Sequence, residues 1–282
     1  MKQRTISSIV IILLLVPLVL FSKYIVYPIV LGILSLMATF ELFRVIGCEK
    51  KYALAIPAYL ISAASPILAF FVDKSSQISY ILMVFGALLV YLLYSMGNSI
   101  FSKGKTPISK MAEVYFTLSY VTLGFSALSL LRFFDREVGL FNVGLVFVVS
   151  WICDVGAYLV GSLIGRHKLI PEISPKKTVE GSIGGIVFAG LCFIIYGFCI
   201  ELIVPDVKVN YLLLMLFGAV LSVVSQLGDL AASLIKREYG VKDYSNLIPG
   251  HGGIMDRFDS VLPVSLGLLV LCELYPPFVF VG

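Results

Sequence analysis

Long apolar runs recur along almost the whole chain, and they constrain its fold more than any other feature. Most runs approach the roughly 20 residues that an α-helix needs to cross a bilayer. A lipid-exposed backbone must satisfy its own hydrogen bonds, so such runs form helices or closed barrels. These runs are longer than barrel strands and do not alternate strictly. With 59% hydrophobic residues and a mean hydropathy of +1.01, the sequence predicts an all-α, polytopic integral membrane protein.

At roughly 20 residues per span, the sequence predicts about nine transmembrane helices. They lie near residues 5–22, 25–46, 53–72, 78–97, 113–132, 139–164, 182–204, 209–235 and 260–280. Lysine and arginine favour cytoplasmic loops, and most of the 21 lie on one side if the N-terminus is cytoplasmic. This orientation places the polar loop at 233–260 in the cytoplasm and the C-terminus outside.

Polar residues inside the apolar runs differ between the two halves of the chain. Residues 1–135 are predicted to form a scaffold of membrane helices, in which Glu41 is the exceptional acid. Residues 136–282 are predicted to form a catalytic half with a polar site that faces the cytoplasm, within one structural unit. Acids at membrane depth are costly and usually mark function. The five cysteines lie in or beside apolar runs without metal-ligand spacing, so we interpret them as small buried hydrophobes.

The most polar passage is 233–260. Asp256 and Asp259 are three residues apart and would share one face of a helix, while Asp229 lies just upstream on the preceding helix. A Pro-Gly-His-Gly-Gly cluster at 249–253 lets the backbone approach a ligand closely. Mg²⁺ prefers carboxylate and phosphate oxygens, and neighbouring cations stabilise phosphate charge. The pattern predicts a site for a metal-bound polyphosphate, with a solvated, charge-balanced loop as the alternative.

A second basic loop precedes the predicted seventh helix. Ser174, Lys176, Lys177 and Thr178 offer hydroxyl and ammonium groups to phosphate oxygens beside a helix N-terminus. The alternative is a basic loop that contacts anionic lipid head groups. Asp154 lies within the sixth apolar run, where an isolated ionised acid is costly. We interpret it as part of the site, with a hydrogen bond between packed helices as the alternative.

At these motifs the sequence resembles the phosphatidate cytidylyltransferase (CDP-diacylglycerol synthase) family. The family signature reads Ser-x-hydrophobic-Lys-Arg, then after four residues Lys-Asp, then a Pro/Gly-x-His-Gly-Gly segment that ends in Asp-Arg-hydrophobic-Asp. It stands here complete, at 233–237, 242–243, 249–253 and 256–259. The segments that begin at Asp154 and Ser174 also look like the family. The resemblance is sharp over about residues 150–260 and is general, as a helical membrane scaffold, before that.

The resemblance implies a Mg²⁺-dependent reaction of CTP with phosphatidic acid that gives CDP-diacylglycerol and pyrophosphate at the inner face of the plasma membrane. A second cation and a homodimer are compatible with it, and no nucleic-acid partner is expected. The predicted metal ligands are Asp229, Asp256 and Asp259. The predicted catalytic residues are these three acids with Lys236 and Arg257. The predicted substrate-binding residues are Asp154, Ser174, Lys176, Lys177, Thr178, Lys242, Asp243 and His251.

Two other functions share part of this pattern. A CTP-dependent transferase that acts on a different lipid phosphate, such as an ether lipid, would need the same acids and cations. A transporter with broken helices would carry polar residues in two pseudo-symmetric halves. This chain confines them to its C-terminal half and to the cytoplasmic edge, which favours an enzyme.

Overall fold

The computed structural model describes residues 13, 16–133, 135–248, 250 and 252–281. Within this part of the chain, seven helices are long and apolar enough to cross a membrane, which confirms the all-α, polytopic membrane fold. They are α1 (Val26–Val45), α2 (Tyr52–Leu68), α3 (Gln77–Phe101), α4 (Ile108–Phe133), α5 (Gly139–Ile164), α6 (Val179–Ile203) and α7 (Tyr211–Glu238). Short 3-10 turns at Ala69–Phe71 and Lys74–Ser76 join α2 to α3. The first predicted helix, 5–22, lies largely outside the described residues, so the total of nine stays a prediction.

The remaining elements are short. Two helices follow α7 in the chain, α8 (Met255–Phe258) and α9 (Val261–Leu274). Strands β1 (Lys168–Ile170) and β2 (Ser174–Thr178) form an antiparallel hairpin between α5 and α6. Strands β3 (Val207–Val209) and β4 (Phe278–Phe280) form a second antiparallel pair.

The last predicted helix is wrong at its C-terminal end. The sequence predicts a helix over 260–280, but α9 has 14 residues and ends at Leu274. Pro276 and Pro277 follow, and proline cannot donate the backbone hydrogen bond that would continue a helix. The chain instead extends as β4, and the carbonyl of Pro277 accepts the N–H of Asn210 at 3.0 Å.

The chain forms two compact units, and the first comprises the residues up to 134 together with Val241–Arg257. In this unit α1 packs against α2 and α4. Ser62 lies 2.7 Å from both Ser35 and Thr39, so hydroxyl groups link α1 to α2 inside the apolar core. Hydrogen bonds among buried hydroxyls offset the cost of removing them from water.

The second unit comprises Asp135–Gly240 and the residues from Phe258 onward. Here α6 packs against α5 and α7, and α9 packs against α7 and α5. Phe193, Leu214 and Leu221 are fully buried in its core. The segment Val241–Arg257 therefore packs with the N-terminal helices and not with the rest of the C-terminal half. The predicted division into functional halves, 1–135 and 136–282, stays a prediction.

Candidate active site

A cavity of about 390 Å³ lies in the second unit. Its wall is built from the C-terminal half of α5, the β1–β2 hairpin, the first turn of α6 and the C-terminal half of α7. The lining residues that were predicted as site residues are Asp154, Lys176, Lys177, Thr178 and Asp229. Segments that are far apart in sequence thus bring acids and cations around one space.

Lys177 and Asp229 form an ion pair on this wall, between Nζ and Oδ2. The two side chains are 23% and 29% exposed, while the Nζ atom of Lys177 itself is shielded from solvent. A buried charge is costly unless it is paired, and Asp229 pairs it here. The phosphate oxygens of a ligand in the cavity would offer Lys177 an equivalent anionic partner.

Asp259 belongs to the same electrostatic cluster, although it follows the short helix α8. The pKa of its carboxyl is raised to about 7, first by burial and then by the charge of Asp229, with a smaller contribution from Asp154, while the N–H of Ser260 and the charge of Lys236 act in the opposite direction. Gly228 permits the close approach of α7 to this turn, since a Cβ there would lie 2.7 Å from the carbonyl oxygen of Asp259. Three acids and a lysine are therefore held within electrostatic range of one another.

Thr178 has a structural task in addition to its place on the cavity wall. It ends β2 and caps α6, because its Oγ1 accepts the N–H of Gly181 at 3.1 Å. A hydroxyl at a helix N-cap satisfies one of the N–H groups that the first turn leaves open. The cap fixes the direction in which the basic hairpin joins α6, and with it the place of Lys176 and Lys177.

The signature loop, which we define as residues 241–257, is held in shape by Asp256 in the first unit. Oδ2 of Asp256 accepts the N–H of Tyr244 at 2.8 Å and the N–H of Gly253 at 2.9 Å. The side chain of Asp256 is buried. It therefore closes the loop on itself, a task that differs from the metal ligation predicted for it.

Helix α1 holds both ends of this loop. Arg44 donates from Nη2 to the carbonyl of Tyr244 at 2.6 Å. Glu41 accepts from the hydroxyl of Ser245 at 2.6 Å, and it also accepts the N–H groups of Ile254 and Met255 at 3.0 and 2.8 Å. An acid and a base that are three residues apart on one helix are neighbours, so they bind adjacent parts of the loop.

The other predicted site residues that the structure describes lie outside the cavity wall. Ser174 is half-buried at the start of β2, where it pairs with Ile170. Lys242, Asp243 and Arg257 are exposed on the signature loop of the first unit. His251 lies outside the described residues. The roles predicted for all of these residues stay predictions.

Two polar residues were missed as site residues by the sequence reasoning. Gln226 lines the cavity, and its Nε2 donates to the carbonyl of Ser182 at 3.2 Å. Glu41 holds the signature loop, although it was noted only as the exceptional acid of the N-terminal half. Both are polar groups inside apolar runs, so the rule that pointed to Asp154 could have found them.

The acids of this cluster match the ligand chemistry of a hard cation. Among the described residues, no three His, Cys, Asp or Glu side chains lie close enough to hold a metal ion by themselves. Mg²⁺, however, commonly takes one or two carboxylates and fills its other positions with phosphate oxygens and water. Asp229 and Asp259 supply two carboxylates whose mutual repulsion a cation would relieve. The site fits a cation that arrives with a phosphate ligand.

The sequence matches the model of the cytidylyltransferase family over residues 2–275. A phosphatidate cytidylyltransferase from Staphylococcus epidermidis is 35% identical over 274 residues, which cover 96% of this chain and 99% of that relative. The enzymes of the same name from Staphylococcus haemolyticus and Staphylococcus aureus are each 34% identical, with the same coverage. These matches confirm the resemblance that the motifs predicted. They extend over the cavity wall, the signature loop and nearly all of the preceding scaffold, and the chain therefore belongs to the cytidylyltransferase family.

Proposed function

We propose that this protein is a phosphatidate cytidylyltransferase, which converts CTP and phosphatidic acid into CDP-diacylglycerol and pyrophosphate. The relatives that match 96% of the chain carry this name. The observation that carries the proposal is the cavity in which Lys176 and Lys177 face the acids Asp154 and Asp229. A nucleoside triphosphate with its cation needs this combination of charges.

In this reaction an oxygen of the lipid phosphate forms a bond to the α-phosphorus of CTP. The bond between the α-phosphorus and the oxygen that bridges to the β-phosphorus breaks, and pyrophosphate leaves with that oxygen. The attacking phosphate is already ionised, so the step needs little help from a general base. Lys176 and Lys177 would neutralise the charge of the phosphates, which grows on the leaving group.

We propose Mg²⁺ as the cation of this site. When bound, it would act as a Lewis acid that neutralises the phosphate oxygens of CTP. Asp229 and Asp259 would hold it, and Lys177 would transfer its contact from Asp229 to the nucleotide. The cluster contains enough carboxylates to bind the second cation that the resemblance allows. Ligation by Asp256 stays a prediction, because the hydrogen bonds of its Oδ2 support a role in closing the loop.

The proposed location is the inner membrane of a bacterial cell, with the site open to the cytoplasm, where CTP is made. Two observations support this proposal. The relatives are bacterial proteins, and the lysines and arginines of the hairpin and the signature loop fall on the side that the distribution of basic residues marks as cytoplasmic. The lipid substrate would reach the site from the bilayer. A homodimer, which the resemblance allows, stays a prediction.

The test is pyrophosphate release from CTP by the purified protein in detergent. We expect release to require CTP, phosphatidic acid and a divalent cation together. Asp229→Asn should lower the rate by about 10²–10³-fold, the effect of losing one electrostatic interaction in an active site, since it removes a carboxylate that would hold the cation. Asp206→Asn is the matched control, because this exposed acid lies beyond the opposite end of α6.

Two results would contradict the proposal. One is a folded wild-type sample that releases no pyrophosphate with phosphatidic acid. The other is a rate that does not change when phosphatidic acid is left out, which would leave the lipid without a role in the reaction.

A further inference from the structure

Glu41 is a buried acid that the proposed chemistry does not use. It lies on α1, inside a helix that is apolar enough to cross the membrane, and its side chain is 3% exposed. An acid in such a place costs several kcal/mol unless other groups compensate it. The compensation comes from the signature loop, more than 200 residues further along the chain.

Both oxygens of Glu41 are used by this loop. Oε1 accepts from the Ser245 hydroxyl and the Ile254 N–H, while Oε2 accepts from the Met255 N–H. Gly253 makes this approach feasible, because a Cβ there would lie 2.6 Å from Cδ of Glu41. The glycine of the signature is therefore needed for contact with a residue outside the signature. Hydrogen bonds to a charged acceptor are stronger than neutral ones.

We propose that Glu41 is a positioning residue of the cytidylyltransferase reaction. It holds the two ends of the signature loop together and so fixes the conformation of the segment that carries Lys242 and Arg257. The inference rests on the proposed function and on the substrate-binding and catalytic roles that the resemblance implies for these two cations. Asp256 fixes the loop internally, and Glu41 fixes it to α1.

A merely structural role for Glu41 makes a different prediction from a positioning role. If loss of its contacts only reduced the folded fraction, kcat would fall in proportion and the KM for CTP would not change. If its contacts place Lys242 and Arg257, the molecules that remain folded bind CTP more weakly, so the KM for CTP rises.

The experiment compares Glu41→Gln and Gly253→Ala with the control Glu49→Gln in the purified full-length protein. Glutamine at position 41 keeps the shape but puts an NH₂ group where one of the donors needs an acceptor. Gly253→Ala leaves Glu41 in place and displaces the loop by its methyl group, so it tests the inference even if Glu41→Gln fails to fold. Glu49, in the turn after α1, is a half-buried acid of the same unit.

Hydrogen exchange of the amides in 244–258 and the kinetics of pyrophosphate release are the two measurements. In both variants we expect exchange at Ile254 and Met255 to become about tenfold faster and the KM for CTP to rise about tenfold, the effect of losing one hydrogen bond to a charged group. The control should match the wild type in both.

Wild-type exchange at these two amides in a folded variant would overturn the inference, and so would faster exchange with an unchanged KM for CTP. Failure of the proposed function is distinguishable, because it would show as a wild-type protein without CTP-dependent turnover. The exchange measurement would then still report whether Glu41 holds the loop.

Discussion

Asp256 and Asp259 are three residues apart, yet their surroundings differ. The sequence reasoning placed them on one helical face, but α8 ends at Phe258 and Asp259 lies in the following turn. Asp256 receives backbone N–H groups, while Asp259 lies in the field of two other acids. The residue types and the polar cluster could be predicted from the sequence. Their separate tasks could not, because each depends on tertiary contacts.

The first prediction at this scale concerns the stability of the protein without divalent cations. The pKa of Asp259 is raised from 3.8 to about 7, so the folded state holds this proton more tightly than the unfolded chain does. Its ionisation therefore lowers the free energy of unfolding as pH rises between these two values. At pH 8 in EDTA we expect Asp259→Asn to unfold at a higher temperature than the wild type, by the equivalent of at least about 1 kcal/mol.

The measurement is thermal unfolding in detergent at several pH values, and the gain should shrink towards pH 5. Turnover with CTP should fall by about 10²–10³-fold in the same variant. A variant that is less stable than the wild type at pH 8 would contradict the raised pKa.

A second prediction separates the two tasks assigned to Asp256. Asparagine keeps an oxygen that can accept the N–H groups of Tyr244 and Gly253, whereas alanine removes it. We expect Asp256→Asn to retain the exchange protection of these amides and to lose at least about 10²-fold in turnover, the effect of losing one electrostatic interaction in an active site, because the predicted metal ligation needs the charged carboxylate. Asp256→Ala should lose both. Full turnover in the asparagine variant would limit Asp256 to closing the loop.

At the scale of elements, the long helices were predictable and the strands were not. From α1 to α7, the apolar runs set the helix positions to within a few residues, because the bilayer fixes the length of a span. Strands β1, β3 and β4 have three residues each, which is too short for a periodic pattern. The hairpin that carries Lys176 and Lys177 was therefore predicted as a basic loop, with its residues named but without its geometry.

A third prediction tests whether the geometry of the hairpin matters. Lys176 on β2 lines the cavity, whereas Lys168 on β1 is exposed on the same hairpin and is absent from the lining. We expect Lys176→Ala to raise the KM for CTP by about tenfold, as for loss of a charge-assisted hydrogen bond. Lys168→Ala should leave it near the wild-type value. Equal effects in both variants would indicate that the hairpin acts through its overall charge.

For the whole molecule, the composition was sufficient to predict a membrane protein, and the motifs were sufficient to predict its family. The grouping of Val241–Arg257 with the N-terminal helices could not be predicted, because the loop is adjacent in sequence to α7 and α9. Within this unit, Arg44 donates to the loop and Glu41 accepts from it. Such bonds leave no periodic trace in a sequence.

A fourth prediction concerns orientation in the membrane. Lys208 and Lys242 are both exposed, on β3 and on the signature loop. In a chain whose five cysteines are replaced by alanine, a maleimide that cannot cross membranes should label Lys208→Cys in intact cells. It should label Lys242→Cys only after the cells are permeabilised. The reverse pattern would contradict the cytoplasmic location of the site.

The bond between Glu41 and the N–H of Ile254 spans 213 residues of sequence, which has a consequence for biosynthesis. At a translation rate of roughly 5–20 residues per second, Glu41 is added to the chain about 10–40 s before Ile254. The first half of the protein therefore enters the bilayer with an acid whose permanent partners do not yet exist. Assembly of the nascent chain can be completed only when nearly the whole polypeptide has been synthesised. A ribosome that stalls before residue 254 leaves an inserted fragment in which Glu41 lacks the N–H groups of Ile254 and Met255.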